Sequence, residues 1–535
     1  MESSTAVTGR GPRPRLEYKW KVLASVVFGA FMVILDTTAV NVAFRALQTE
    51  YAVSVSDAQW VISLYVLALG IATPLAGFLA DRFGIKRTYL TGLGIFVGGS
   101  FLCGIAPTLW MLVAARALQG LGGGIAVPLG SAQLLRAFPV HEQGRALGIF
   151  GMAVVFAPAT GPLLGGALVD LGLWRWIFFI NVPIGLLGVA LGRRFLREEP
   201  GRVHGMDWPG LATEVIGFGA VLYAASIAEL HGWTSPDVLT WFAIGAAGLI
   251  AFALVELFIA REPLLDLRLY RRRTFLLASL VGYVTVIALF GAEFLLPVYL
   301  QSVRGRSALD AGLILLPMAM AAGIATPLAG RLYDRIGPRP LMVAGFSLLA
   351  INTWQFAQLN GHTPIPWIIL LLLVRGTALG LTVQTTFVAA LSVVVGPALA
   401  RGAALVNATR NVVQSIGVAV LATVLASGFS PTTRAIQHAV AGRGGGVCES
   451  PANDHAAAGA VPGEGASAAR SDVSAGFTSE ALLRACDESV TGFERAYRLT
   501  FFAALGSLLL GTMLPGWPGP WGGRTSYVTV AEVNP

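Results

Sequence analysis

Apolar runs of about 20 residues, each long enough to cross roughly 30 Å of hydrocarbon at 1.5 Å per residue, recur fourteen times along this chain, separated by short charged or Gly/Pro-containing joints. In hydrocarbon every backbone polar group must be paired within the protein, and apolar runs of this length are expected to be helices. They fall near 22–43, 60–80, 88–106, 109–128, 146–169, 176–196, 209–230, 238–260, 274–299, 311–332, 340–358, 366–392, 403–427 and 497–515. With 55% apolar residues, only 12% charged residues and a mean hydropathy of +0.70, the bilayer is the expected solvent. The first run is too long for a signal-peptide core and carries Asp36 in its body, so it reads as a retained helix.

Orientation follows from the basic residues. If both termini face the cytoplasm, that side collects Arg10, Arg13, Arg15, Lys19 and Lys21, then Arg82, Lys86 and Arg87, then Arg193, Arg194, Arg197 and Arg202, then Arg271, Arg272 and Arg273. The short outer loops keep only Arg45, Arg175, Arg304 and Arg306. Topology therefore accounts for the net charge of +8, and no nucleic-acid partner is expected.

An internal repeat divides the chain. Residues 71–84, IATPLAGFLADRFG, and 324–337, IATPLAGRLYDRIG, share eleven of fourteen residues at an offset of 253. Each copy ends the second helix of a half and enters a short turn, so two six-helix halves run parallel in the membrane. The expected division is a cytoplasmic tail at 1–21, an N-terminal half at 22–196, an inserted helix pair at 209–260, a C-terminal half at 274–515 and a cytoplasmic tail at 516–535. Within the second half, 428–496 is rich in Ala, Gly and Ser and is expected to be a largely disordered extracytoplasmic loop with a short helix near 478–488. Cys448 and Cys486 both fall in it, where a disulfide and two unpaired thiols are both open readings.

Other chemistries find no support. A phosphate-cradling loop ends in Lys-Ser or Lys-Thr, yet the three lysines, Lys19, Lys21 and Lys86, precede Trp20, Val22 and Arg87, so no ATP is expected. No His pair has the spacing of a zinc helix, and Cys-x-x-Cys is absent, so neither a metal nor another cofactor is expected. An enzyme would need a nucleophile or metal site that the sequence does not offer.

The turn after span two, GFLADRFGIKRTYL, places Gly77, Asp81, Arg82, Gly84 and Arg87 in a G-x-L-a-D-R-x-G-r-K pattern, repeated in part by Asp334 and Arg335. Gly77 and Gly84 would allow close helix approach and a tight turn, and Asp81 could join a charge cluster between the halves. Span four reads LVAARALQGLGGG, with Arg116 and Gln119 inside hydrocarbon. Span five reads GIFGMAVVFAPATGPLLGG, carrying Gly161, Pro162, Gly165 and Gly166 as small-residue packing or a gate. Span one ends LDTTAVNVAFRAL, and WRWIFFINVPIG and FLLPVYLQ follow later. Together these stretches resemble the major facilitator superfamily, within it the fourteen-span drug:H⁺ antiporter branch, and are similar to actinobacterial antibiotic exporters. Arg45 stands where that branch usually has proline, and Ala157 where it often has glycine. The resemblance implies an all-α polytopic membrane protein with the major facilitator fold, two six-helix halves plus two inserted helices, and 14 transmembrane helices.

Counting at 1.5 Å per residue puts Asp36, Arg116, Glu293 and Arg375 at about one depth, some six to nine residues below the outer helix ends. The repeat offset relates Asp36 to Glu293 and Arg116 to Arg375. The expectation is two pseudo-symmetric acid/base sites facing a central cavity, with Asp36 and Glu293 as protonation sites. Burial there favours the neutral acid and a guanidinium favours the carboxylate, so small changes in access would switch them. Asn41, Gln119, Asn407, Arg410, Asn411 and Gln414 are candidate cavity-lining residues, although helix–helix hydrogen bonding would also explain the polar face around Arg410. Glu214 and Glu256 lie near helix ends, where snorkelling would account for them.

The functional expectation is a secondary transporter, a proton-coupled antiporter exporting amphipathic small molecules from the cytoplasm through the cell membrane. Its partners would be that substrate, protons and the lipid bilayer. A dedicated metabolite or siderophore exporter is the nearest alternative. A non-transporting receptor or assembly factor is a third, disfavoured because buried charges are costly without ion traffic.

Overall fold

A computed structural model describes residues 17–198, 201, 207–233, 235–260, 263–394, 398–441, 446–448 and 477–516. Arg10, Arg13, Arg15, Arg202, the middle of the 428–496 loop and nearly all of the C-terminal tail lie outside the described residues, as do the side chains of Arg45, Pro162 and Glu293.

Among the described residues the elements are helical throughout. The N-terminal half comprises α1 (Tyr18–Val42), the short α2 (Phe44–Tyr51), α3 (Val55–Phe83), α4 (Ile85–Ile105), α5 (Leu109–Ala137), α6 (Gln143–Asp170), α7 (Trp176–Phe179) and α8 (Asn181–Phe195). The inserted pair is α9 (Trp208–His231) and α10 (Pro236–Leu254). The C-terminal half comprises α11 (Arg273–Val298), α12 (Ala308–Ile336), α13 (Pro338–Phe356), α14 (Ile365–Leu391), α15 (Ala398–Ala426), α16 (Pro431–Ala441) and α17 (Ser479–Thr512). Every expected run overlaps one of these helices, and among the described residues eleven helices are long and apolar enough to cross a membrane by themselves.

Side-chain caps set several helix starts. Ser54, Ser235, Ser307 and Thr478 each accept a hydrogen bond from the backbone amide three residues on, satisfying one of the four donors that a helix start leaves open. The repeat sets two helix ends. Gly84 after α3 and Gly337 after α12 adopt φ of 91° and 81°, a region that glycine enters without the steric cost of a Cβ. Those two turns mark one end of the bundle, called the motif end below.

The halves meet along two seams, α6 against α12 and α3 against α15. The inserted pair lies beside the second seam: Ser63 of α3 meets Ser226 of α9 at 2.6 Å, and Trp60 stacks on Tyr223, which in turn packs edge-on to Trp241 of α10. Outer faces remain apolar, with Ile324 66% and Leu509 69% exposed, as a lipid-facing belt requires.

Two expectations are corrected. The helix expected near 478–488 is instead the beginning of α17, which runs unbroken into the last apolar run because its polar start packs on α16 and its apolar remainder on α13 and α11. Residues 431–441 of the loop form α16, and Cys448 is disulfide-bonded to Cys486 on α17 with a Cα–Cα separation of 5.0 Å. Glu214 and Glu256 do not snorkel. They are 0% and 1% exposed, because α9 packs on its neighbours and the chain after α10 folds back to let the Leu264 amide donate to Glu256 Oε1 at 3.1 Å.

Candidate functional site

The polar centre of the N-terminal half is assembled from five helices. Asp36 of α1 and Arg116 of α5 are each 1% exposed, and Arg116 Nη1 donates to Asp36 Oδ2. One helical turn beyond Arg116, Gln119 accepts from the same guanidinium nitrogen at 2.6 Å and donates to Asp36 Oδ1 at 2.9 Å. Asn181 of α8 donates to the same oxygen at 2.8 Å, and both amides lie 3.1 Å from Ser100 Oγ of α4. Arg116 Nε donates to the Val61 carbonyl at 3.2 Å. A buried ion pair persists only when its remaining lone pairs and protons are satisfied, which is the service of these amides.

Tyr65 of α3 closes this centre on one side. Its ring centroid lies 3.8 Å from the Arg116 guanidinium carbon, and its hydroxyl is 3.3 Å from Val33 O and from Thr37 Oγ1. On its other face Tyr65 lines a cavity of about 230 Å³ between the halves. Neither Asp36 nor Arg116 lines that cavity, so the expectation that they face it is corrected: they stand within its wall, behind Tyr65.

Arg375 of α14 is likewise 1% exposed and outside the cavity lining. Its Nη1 donates to Thr353 Oγ1 of α13 at 3.2 Å and its guanidinium lies 5.5 Å from the Phe356 ring. Glu293 sits on α11, with its side chain outside the described residues.

The cavity draws on both halves. Thr37, Thr38, Thr73 and Ser131 contribute from the first, Gln384 and Phe387 of α14 from the second, and α15 presents Asn407, Arg410, Asn411 and Gln414. Positions 407, 410, 411 and 414 follow the three-and-four spacing of one helical stripe. Asn411 Nδ2 reaches across to Thr73 Oγ1 of α3 at 3.5 Å. Gln119 belongs to the Asp36 network, and Asn41 is exposed at the end of α1, so neither lines the cavity.

At the motif end, the two repeats each lock onto the opposite half. Asp81 Oδ2 lies 2.9 Å from Arg401 Nε at the start of α15, and a Cβ on Gly77 would lie 2.9 Å from the Arg401 Cα. Asp334 instead accepts from the backbone amides of Gly144 and Arg145 at 2.8 and 2.9 Å, at the start of α6, where helix amides and dipole favour an anion. Gln143, just before those two amides, turns its side chain back to the Leu135 and Phe138 carbonyls and leaves Asp334 to the backbone. Arg87 is mostly exposed near Glu198, and Arg82 lies 5.5 Å from the Phe83 ring, so these two serve the surface of the turn.

Gly161 and Gly165 of α6 face α1 of their own half: a Cβ on Gly161 would overlap Thr38, and one on Gly165 would lie 2.8 Å from Ala39 O, with Gly166 next to Val42. The boundary between the halves is met nearer the start of the same helix. That boundary is formed by the earlier Gly144 and Gly148 of α6, where a Cβ on Gly148 would lie 2.9 Å from the Thr326 carbonyl of α12.

Arg401, Tyr65, Ser100 and Asn181 were not singled out by sequence. Asn181 alone had a signal, an amide inside the apolar run FFINVPIG.

Comparison with known proteins agrees with this architecture. The family model described as Major Facilitator Superfamily matches residues 26–420. The "Uncharacterized MFS-type transporter YhcA" of Bacillus subtilis (strain 168) is 35% identical over 405 residues, 75% of this chain and 76% of the relative. The "Multidrug resistance protein B homolog" of Mycobacterium tuberculosis (strain ATCC 25618 / H37Rv) is 32% identical over 414 residues, 76% of each. Among solved structures, the proton:xylose symporter XylE bound to 6-bromo-6-deoxy-D-glucose superposes with a TM-score of 0.55 at 16% identity, over 77% of this chain and 88% of that one.

Proposed function

This chain belongs to the major facilitator superfamily, and on that premise we propose that it is a proton-coupled antiporter exporting amphipathic small molecules of the drug or antibiotic class. It is a multi-pass membrane transporter rather than an enzyme. We place it in the cell membrane with fourteen spans and both termini in the cytoplasm, on the distribution of basic residues.

The observation that carries the proposal is the Asp36–Arg116 pair separated from the cavity by one side chain, Tyr65. A proton arriving on Asp36 removes the counter-charge of Arg116, whose guanidinium stacks on the ring that forms the cavity wall. Occupancy of the carboxylate and shape of the cavity thereby bias one another, which is what exchange of a proton for cargo requires. The Gly161–Gly165 face of α6 bears on Thr38 and Ala39, one turn from Asp36, so the same event reaches α6. At its other end α6 is held through Gly144 and Arg145 to Asp334 of the opposite half. The drug-resistance name of the tuberculosis relative supports the cargo class.

The test has two steps. A susceptibility screen in a host lacking its own pumps identifies an exported compound. Inside-out vesicles carrying the protein then report whether adding that compound dissipates an imposed proton gradient. Full proton-driven export by Asp36→Asn would remove Asp36 from the mechanism.

A further inference from the structure

The cavity carries a charge that neither the ion pair nor the motif-end locks use. Arg410 is its one charged lining residue among the described residues, with no aspartate or glutamate beside it in the wall. The guanidinium makes no ion pair or hydrogen bond among the described residues, and its neighbour is the Phe387 ring, 6.0 Å from the guanidinium carbon.

Among the described residues no carboxylate pairs with it, and the acids of the flanking helices α1, α3 and α11 are engaged elsewhere or set apart along the bundle. Asp36 is on the far side of Tyr65 and bonded to Arg116. Asp81 pairs with Arg401, which precedes Arg410 on α15 by about 13 Å of helical rise. Glu293 is ten residues along α11 from Tyr283, whose hydroxyl meets Thr409 at 2.8 Å, so its turn of helix stands about 15 Å further along the bundle. An arginine does not shed its proton, so the half-buried Arg410 brings a full positive charge to the cavity wall.

We propose that the cavity takes amphipathic acids, with Arg410 as the anchor for a carboxylate or sulfonate and the opposite apolar wall taking the ring or chain. The proposal rests on the transport reading above and names its substrate class. The planar fork of guanidinium donors matches two oxygens of such a group. Asn407, Asn411 and Gln414 on the same stripe, with Gln384 across from them, offer further donors, while Val33, Leu69 and Val154 supply apolar surface. A cationic cargo would meet like charge with no acid among the described wall residues to offset it.

The experiment uses three probes of one ring body, 1-pyrenebutyric acid, its methyl ester and 1-pyrenebutylamine, binding to the purified full-length protein in phosphatidylcholine nanodiscs. The acid is expected to bind at least about tenfold more tightly than the amine. Arg410→Gln should abolish that preference, and Arg410→Lys should keep part of it, both variants first shown to elute as a single species. Equal or reversed preference, absence of acid binding, or a preference unaltered in Arg410→Gln overturns the proposal. Adding phosphatidylglycerol to the nanodiscs distinguishes cargo from lipid: displacement of the acid assigns the guanidinium to a headgroup and also overturns it. Proton exchange in wild-type vesicles is read separately. Loss of the acid preference with proton exchange intact removes only the anionic assignment, whereas an intact preference without proton exchange removes only the antiport reading.

Discussion

Asp81 of α3 and Arg401 of α15 form an ion pair across the boundary between the halves, with 2.9 Å between oxygen and nitrogen and side chains 15% and 26% exposed. The same repeat places Asp334 of α12 on two backbone amides of α6 instead. A shared sequence has thus been answered by an ion on one side and by a helix start on the other.

The first lock is partly exposed and should be sensitive to salt. A double-mutant cycle of Asp81→Asn and Arg401→Gln, read as thermal midpoints of the purified protein, should show a coupling of about 1 kcal/mol at low ionic strength that shrinks towards zero at high salt. Asp334→Asn should lose stability with little salt dependence, because its partners carry no net charge.

The seam between α6 and α12 should not tolerate a methyl group. A Cβ on Gly330 would overlap the Gly144 carbonyl, so Gly330→Ala should destabilise by about 1–3 kcal/mol and slow transport. Gly98 of α4 has nothing within 4 Å of a built Cβ, and Gly98→Ala should stabilise by up to about 1 kcal/mol. Thermal unfolding of both variants side by side checks the contrast.

Removing one member of the buried pair should cost more than removing both. Arg116→Met is expected to lower stability by about 3–5 kcal/mol by stranding Asp36, and Asp36→Leu in the same chain to restore part of it. Additive losses would show that the pair is not coupled.

These side chains differ in how far the sequence discloses them. Asp36 and Arg116 are legible because a charge inside a 20-residue apolar run is conspicuous, and counting along each helix puts them at one level. The repeat is legible for the same reason, as is the demand for glycine at Gly84 and Gly337. Which way a residue faces is not, since lipid and packed interior are equally apolar and helix periodicity fades: in the repeated IATPLAG, Ile324 is 66% exposed and the adjacent Ala325 8%. Depth counting brings Asp36 and Arg116 to one level, as their ion pair requires, but is blind to Tyr65, which stands between them and the cavity. Glu214 and Glu256 were misread because distance from a helix end says nothing about a neighbouring segment folding back over it.

The docking of α16 on α17 should weaken in acid. The Ser430 amide and Thr433 hydroxyl donate to Glu488 Oε2 at 2.8 and 2.6 Å, and these hydrogen bonds hold its carboxyl below the usual glutamate range, the Ser430 amide foremost. The contribution is complete at pH above the ordinary glutamate value of about 4.3 and is lost as pH falls below it through the lowered value. Protease accessibility of 431–441 should rise in that window, and Glu488→Gln should flatten the response.

Reduction of Cys448–Cys486 should loosen the same region. The bond closes a loop with a sequence separation of 38, for which chain entropy predicts about 4 kcal/mol. Limited proteolysis with and without reductant, compared with Cys486→Ser, measures it.

The unequal locks at the motif end give the two seams different mechanical characters. Where α6 meets α12, backbone lies against backbone at Gly144 and Gly330, a contact with little side-chain freedom to give way. Where α3 meets α15, a hydrated ion pair can be exchanged for water at small cost. If the halves part, the Asp81–Arg401 side, beside which the inserted pair α9–α10 stands, is expected to yield before the glycine seam, which would then act as the hinge post.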